Sequence, residues 1–166
     1  ACLCGVNCKY NGLNNYNEIC DKLFTSGKAI LVCPEQLGGL PTPRIPSEII
    51  GQSLNMLNNN RLVIDKNGND VTPQFIKGAQ ETLQLAKKLN IKKAILKDGS
   101  PSCGVNYIYD GKFNGTKIKG MGITAQLLKE SSIDVISELE LGGNINGDGS
   151  SELRDFNAEI PNKTSR

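Results

Sequence analysis

Three short segments concentrate the residue types that could do chemistry at one centre. In Cys2-Leu3-Cys4-Gly5-Val6-Asn7-Cys8 a C-x-C overlaps a C-x3-C, and loop thiols at that spacing can reach one soft metal centre. Their plainer role would be as small buried hydrophobes. In the second, Cys33-Pro34-Glu35 runs into Gly38-Gly39 and then Pro41-Thr42-Pro43-Arg44. Here a thiol is followed two residues later by a carboxylate that could act as a general base beside a metal, or pair with Arg44 in a surface salt bridge. The glycines would permit close backbone approach to a ligand, while the prolines stiffen the loop. The third, Lys97-Asp98-Gly99-Ser100-Pro101-Ser102-Cys103-Gly104, carries two hydroxyls and a thiol on one tight loop. That suits ligand binding, although Ser, Pro and Gly also make ordinary turns.

Composition narrows the chemistry. The chain has six cysteines and no histidine, which excludes a Ser-His-Asp triad, a Cys-His dyad and any His-ligated metal. No secretory pattern opens the sequence and no apolar run approaches the roughly 20 residues that span a bilayer. A cytoplasmic protein with no membrane partner is expected, and in that compartment clustered cysteines bind metal or do redox work more often than they pair. No four-cysteine ferredoxin or zinc spacing is present. Three well-separated thiolates would leave one iron of a cubane without a protein ligand, the open position that a catalytic metal centre needs. Cys20 lies on the apolar face of a helical stretch and reads as core. The acidic run Asp65 to Asp70 lacks the glycine position and distal Glu of a calcium loop and reads as a hairpin turn. Formal net charge is +2 and aromatics are 5%, with no tryptophan, so there is no strong nucleic-acid signal and no evident platform for stacking bases.

The elements that must position these segments follow from periodicity. Residues 16–24 space Tyr16, Ile19, Cys20 and Leu23 as a helix that Gly27 stops. Ala29–Cys33 reads as a buried strand, Leu37–Pro46 as a long loop, and Ser47 as the cap of a helix running towards Leu57. Arg61–Ile64 and Asp70–Val71 flank the hairpin dipeptide Asn67-Gly68. The clearest helix starts at Thr72-Pro73, buries Phe75, Ile76, Ala79, Leu83, Ala86 and Leu89, and closes at Asn90. Ala94–Leu96 and Ile133–Ile136 read as strands, Tyr107–Tyr109 as one arm of a turn at Asp110-Gly111, and Thr124–Glu130 as a short helix.

Strand, helix and strand in repeated order predict an α/β class: a single Rossmann-like domain, a mostly parallel sheet flanked by helices. Such a sheet binds ligands at its strands' carboxyl ends. Cys33 and the Cys103 loop would emerge there, as would Cys2 if a strand preceded it. The domain is expected over residues 1–140, with 141–166 a Gly/Asn/Ser-rich segment and polar tail.

Taken together, Ala1-Cys2-Leu3 with Gly5, Cys33-Pro34-Glu35 with Gly38 to Arg44, and Ser100-Pro101-Ser102-Cys103-Gly104 resemble the thiouracil desulfurase family. Lesser matches such as Lys9-Tyr10-Asn11-Gly12 and Gly122-Ile123-Thr124-Ala125 extend the resemblance over residues 1–138. It implies a [4Fe–4S] cluster on Cys2, Cys33 and Cys103, whose remaining iron binds the substrate's sulfur, and a small-molecule thiopyrimidine as substrate. Sulfur leaves, water replaces it, and there is no net redox change. Glu35 would activate the water, with Ser100 and Ser102 orienting the pyrimidine or the proton path, Ser100 being the preferred partner. Family members usually carry a short apolar strand before the first cysteine, and native residues forming it are expected to precede Ala1. The sequence departs from the family pattern in Cys4, where an aliphatic residue is usual. Cys4 or Cys8 could supply a fourth thiolate and close the site. The same cluster acting on a thiolated nucleoside or tRNA base, and a non-enzymatic cysteine-bound zinc or iron–sulfur domain, remain alternatives. Self-association into a homo-oligomer is left open.

Overall fold

Asn17 begins the first helix by accepting from the Ile19 and Cys20 backbone N–H groups at 3.1 Å each, an N-cap that starts α1, Glu18–Thr25. It is the first regular helix in a computed structural model of the protein that describes residues 1–51 and 62–142. There follow α2 (Pro34–Leu37), β1 (Ser47–Ile50), β2 (Leu62–Asp65), α3 (Thr72–Lys88), β3 (Lys93–Leu96), β4 (Tyr107–Tyr109), β5 (Lys117–Lys119), α4 (Ile123–Glu130) and β6 (Asp134–Ser137). Single-turn 3-10 helices cover Cys2–Cys4 and Glu138–Gly142. No helix among the described residues is long and apolar enough to cross a membrane.

The class is mixed α/β, but the pairing departs from a mostly parallel sheet. Among the described residues the strands form three two-stranded sheets: β1 with β2 and β4 with β5 antiparallel, and β3 with β6 parallel. The 110–116 turn folds the chain back so that β4 and β5 close as neighbours, while the Asn67-Gly68 turn, with Gly68 at φ 86°, returns Asp70 against Ile64 in an isolated bridge. Ser47 does not cap a helix; Ser47–Ile50 pairs with Leu62–Asp65 in register, Ile49 opposite Val63. Two adjacent β-branched residues suit that strand better than a helix. The expected continuation to Leu57 lies outside the described residues, as does the segment after Gly142. Ala29–Cys33 has no ladder partner among the described residues; the Ala1 nitrogen donates to the Val32 carbonyl at 2.7 Å.

Helix α3 runs as its periodicity predicts, and Asn90 closes it in the left-handed region at φ 53°. Its buried face is rotated from the expected stripe: Phe75, Gly78, Ala79, Thr82 and Ala86 face inward, while Ile76 and Leu89 are exposed. Thr72 does not cap the helix. Its hydroxyl accepts from the Val63 N–H at 2.8 Å, tying α3 to β2. One apolar core gathers Ile49, Val63, Phe75, Ala79, Ile108 and Ile123. A second gathers Ala86, Leu96, Ala125, Leu128 and Ile133.

Gly78 is inward-facing because α2 lies directly upon it. A Cβ on Gly78 would stand 1.9 Å from the Pro34 carbonyl oxygen, and one on Gly38 would stand 2.0 Å from the Gln74 carbonyl oxygen. The approach that Gly38 permits is therefore to the α3 backbone rather than to a ligand. Gly78→Ala forces α2 off α3, and the expected loss of stability is about 2 kcal/mol or more, measured by urea unfolding. A variant as stable as the wild type would show that this contact is not constraining.

Candidate active site

The three chemistry-bearing segments meet. Cys2, Cys8, Cys33, Glu35, Ser100 and Cys103 all line one cavity of about 560 Å³. Its wall also includes Tyr10, Tyr107, Tyr109 and Phe113, four of the chain's eight Tyr and Phe residues. Few aromatics overall thus conceals a local concentration along one cavity wall.

Cys2 is held by the turn that contains it. The Asn15 N–H donates to the Cys2 carbonyl at 3.0 Å, and the Asn17 N–H to the Leu3 carbonyl at 2.8 Å. Cys33 is the residue before α2, with Pro34 at the first helical position. Glu35, one residue further, points back to two partners. Its Oε2 accepts from Arg44 Nε at 2.6 Å, and its Oε1 accepts from the Ser100 hydroxyl at 3.2 Å. The ion pair is not at the surface: the Arg44 and Glu35 side chains are 7% and 15% exposed.

The Ser100–Cys103 loop is shaped by the Asp98 carboxylate. Asp98 Oδ1 accepts from the N–H groups of Val105, Asn106 and Tyr107 at 2.8, 2.8 and 3.2 Å, and Oδ2 from the Asn106 amide at 2.9 Å. Burial raises the Asp98 pKa, but the Asn106 and Val105 backbone donors outweigh it and hold the carboxyl below its usual range. Inside the loop, Ser100 Oγ accepts from the Ser102 and Cys103 N–H groups at 3.0 and 3.1 Å. With two donors on its oxygen, its own hydrogen is directed to Glu35. Ser102 does not join the cavity wall. Its hydroxyl is buried and shares a 2.8 Å hydrogen bond with Thr124, so it anchors the loop to α4.

The thiols differ in character. Cys8 hydrogen-bonds the Cys2 and Cys33 thiols, and these bonds, with Asn15 adding to Cys2, lower both to about 6 against the opposing effect of burial. Cys8 itself is raised by the same contacts and stays a thiol. Burial pushes Cys103 up, with Glu35 and the other thiolates adding to it. Burial also pushes Cys20 to about 11, as fits its place in the core, 5% exposed. Cys4 does not line the cavity.

An all-sulfur donor set facing one volume suits a soft metal centre. Among the described residues no three Cys, Asp or Glu side chains converge on a single-ion site. The thiolates of an iron–sulfur cluster bind separate irons and need only face a common volume, so the donor set fits a cluster. Sequence spacing drew attention to Cys2, Cys33, Glu35, Ser100 and Cys103. It gave Asp98 no role, although Asp-Gly directly after a strand is a recognisable turn former. It also treated Arg44 only as an alternative to catalysis.

The chain is similar to known proteins over most of its length. Residues 1–140 match the family model of 2-thiouracil desulfurase. An uncharacterised Bacillus subtilis protein, YbbK, is 47% identical over 142 residues, covering 85% of this chain and 94% of that protein. A solved structure described as a [4Fe-4S]-dependent thiouracil desulfidase, TudS, superposes with a TM-score of 0.75 at 40% identity. That match covers 84% of this chain and 88% of the other.

Asp98 should therefore report on loop integrity. Asp98→Asn keeps the shape but loses the charge and turns an amide donor towards N–H groups, and the expected loss is about 2 kcal/mol at neutral pH. Because the folded carboxyl titrates below its unfolded value of about 3.9, its contribution is full above that pH and is lost as pH falls through the folded value. Urea unfolding of both proteins should show a constant gap from neutral pH to about 5 that closes below about 4. A gap unchanged by acid would show that the charge is not what holds the loop.

Proposed function

This chain belongs to the 2-thiouracil desulfurase family, and from that premise we propose that it removes sulfur from a thiolated pyrimidine, converting 2-thiouracil and water to uracil and sulfide. The observation that carries the reading is the cavity shared by Cys2, Cys33 and Cys103 with a hydrogen-bonded Glu35–Ser100 pair. Those three cysteines would hold a [4Fe–4S] cluster, which would supply an iron without a protein ligand as a Lewis acid towards the thiocarbonyl sulfur.

The chain's own residues do the rest. Glu35 Oε1, with Oε2 occupied by Arg44, is the oxygen available to take a proton from water as its oxygen bonds to the thiocarbonyl carbon. Ser100 holds that carboxylate oxygen and can pass the proton towards the departing sulfur. The C–S bond breaks as C=O forms, both water protons end on uracil or sulfide, and no electron is gained or lost. Four aromatic residues along the wall supply apolar surface for a planar ring. Ser102 supports the loop rather than the substrate. The rest of residues 1–140 is taken as one Rossmann-like unit with the parallel β3–β6 pair at its centre, and residues 141–166 as an appended segment. Six unpaired thiols support a cytoplasmic setting.

The second substrate class, a thiolated nucleoside, would share the cavity of about 560 Å³ with the cluster.

Anaerobically reconstituted protein should release sulfide from 2-thiouracil, and Cys103→Ala should not. Glu35→Gln should retain the cluster's visible absorbance while losing about 10²–10⁴-fold in kcat. Absorbance without sulfide release from any thiopyrimidine base would redirect the proposal to the nucleoside. Binding of zinc with no visible absorbance would refute a cluster enzyme.

A further inference from the structure

Arg44 is placed as few buried arginines are. Its Nε donates to Glu35 Oε2 at 2.6 Å, its Nη1 to the Pro41 carbonyl and the Thr42 hydroxyl at 3.2 Å each, and its Nη2 to the Cys8 carbonyl at 3.0 Å. An arginine facing a carboxylate commonly engages both oxygens with two parallel bonds. Here only one oxygen is taken, because both terminal nitrogens are committed to the 41–42 turn and to Cys8. Glu35 Oε1 is thereby left to Ser100 and the cavity.

The Cys8 carbonyl that anchors the guanidinium also lies 3.9 Å from the Cys33 sulfur. One planar group thus joins the carboxylate, the 41–42 turn and the first cysteine loop, and is 7% exposed while doing so. We propose that Arg44 is a positioning residue of the reaction: by binding Glu35 through one oxygen only, and by bracing against Cys8, it fixes which carboxylate oxygen faces the substrate and where that oxygen stands relative to the cysteine wall. The inference rests on the desulfurase reading above and deepens it. Charge alone does not suffice for this role. A lysine ammonium is a single point with three donors, and it cannot reach Glu35, the 41–42 turn and Cys8 in their fixed directions at once.

The test uses the reconstituted holoprotein with Arg44→Lys, Glu35→Gln and the double variant, each checked for visible absorbance before assay on 2-thiouracil. Arg44→Lys should carry wild-type absorbance and a KM within a few-fold of wild type, with kcat reduced about 100-fold, the cost of roughly 1 Å of misplacement. Because Arg44 acts through Glu35, the double variant should be no slower than Glu35→Gln alone. As an independent readout, ethylguanidinium should restore part of the kcat lost in Arg44→Ala. Three results would overturn the inference: wild-type kcat in Arg44→Lys, a raised KM at unchanged kcat, or a double variant slowed by the product of the two single effects. Loss of absorbance in Arg44→Lys would also overturn it, making Arg44 a strut of the fold. Wild-type protein that releases no sulfide would instead remove the desulfurase reading and this inference with it, whereas wild-type release beside an unimpaired Arg44→Lys removes this inference alone.

Discussion

Two helices packed on each other set the width of the site, and each carries one of its walls by backbone contact. On α3, Gly78 meets the Pro34 carbonyl with no side chain between them, which places Cys33 and Glu35. On α4, a Cβ at Gly122 would stand 2.4 Å from Ser102 backbone atoms, and the Ile123 and Thr124 N–H groups donate to the Pro101 and Ser102 carbonyls at 2.9 Å. That contact places Ser100 and Cys103. Since α3 and α4 pack directly together, the separation of the two walls is fixed by helix packing rather than by loop preference. Loops clamped in this way can present thiols and a carboxylate at constant distance, as chemistry needs.

The polar groups behind the walls follow the same economy. Asp98 and Glu138 are both buried, and neither is left with spare capacity. Asp98 takes four donors, while Glu138 takes the Asp98 N–H at 2.8 Å and the Lys97 ammonium. A buried carboxylate short of partners would cost more stability than the loop could return. Satisfied, the two fix the path of the chain from β3 into Ser100. The loop therefore enters the cavity already shaped, with its serine oxygen pinned by two backbone donors.

Much of the site was legible in the sequence because its residue types are rare and grouped. Cys33-Pro34-Glu35 and Ser100-Pro101-Ser102-Cys103 announce themselves, and Cys20 declares itself core by its helical face. The errors arose where a pattern of period permits two answers. Ser47 could cap a helix or start a strand, and its pairing with Asp65 across the sheet is not a local property. Gly38-Gly39 promised close approach without saying to what, and the answer lies 40 residues later at Gly78. Ser102 was offered beside the preferred Ser100, and Thr124 turns its hydroxyl inward. The α/β class holds, and among the described residues β1–β2 and β4–β5 pair antiparallel beside the parallel β3–β6 pair. At Ser47, Gly38 and Ser102 a long-range contact decided between local options.

The Glu35–Arg44 pair shows why such options are not always exclusive. Spacing offered a general base or a salt bridge, and the geometry holds the salt bridge on one carboxylate oxygen while the other faces Ser100 and the cavity. A largely buried ion pair is poor evidence of a stability role, because the desolvation of two charges offsets much of their attraction. An apolar pair in the same place would avoid that cost but lose the bonds from Arg44 to the Pro41 carbonyl, the Thr42 hydroxyl and the Cys8 carbonyl. What an apolar pair cannot do is leave one carboxylate oxygen free, hydrogen-bonded to a serine and facing a cavity lined with thiols. The arrangement makes physical sense when the free oxygen is the purpose of the pair and the bound oxygen is the means of holding it.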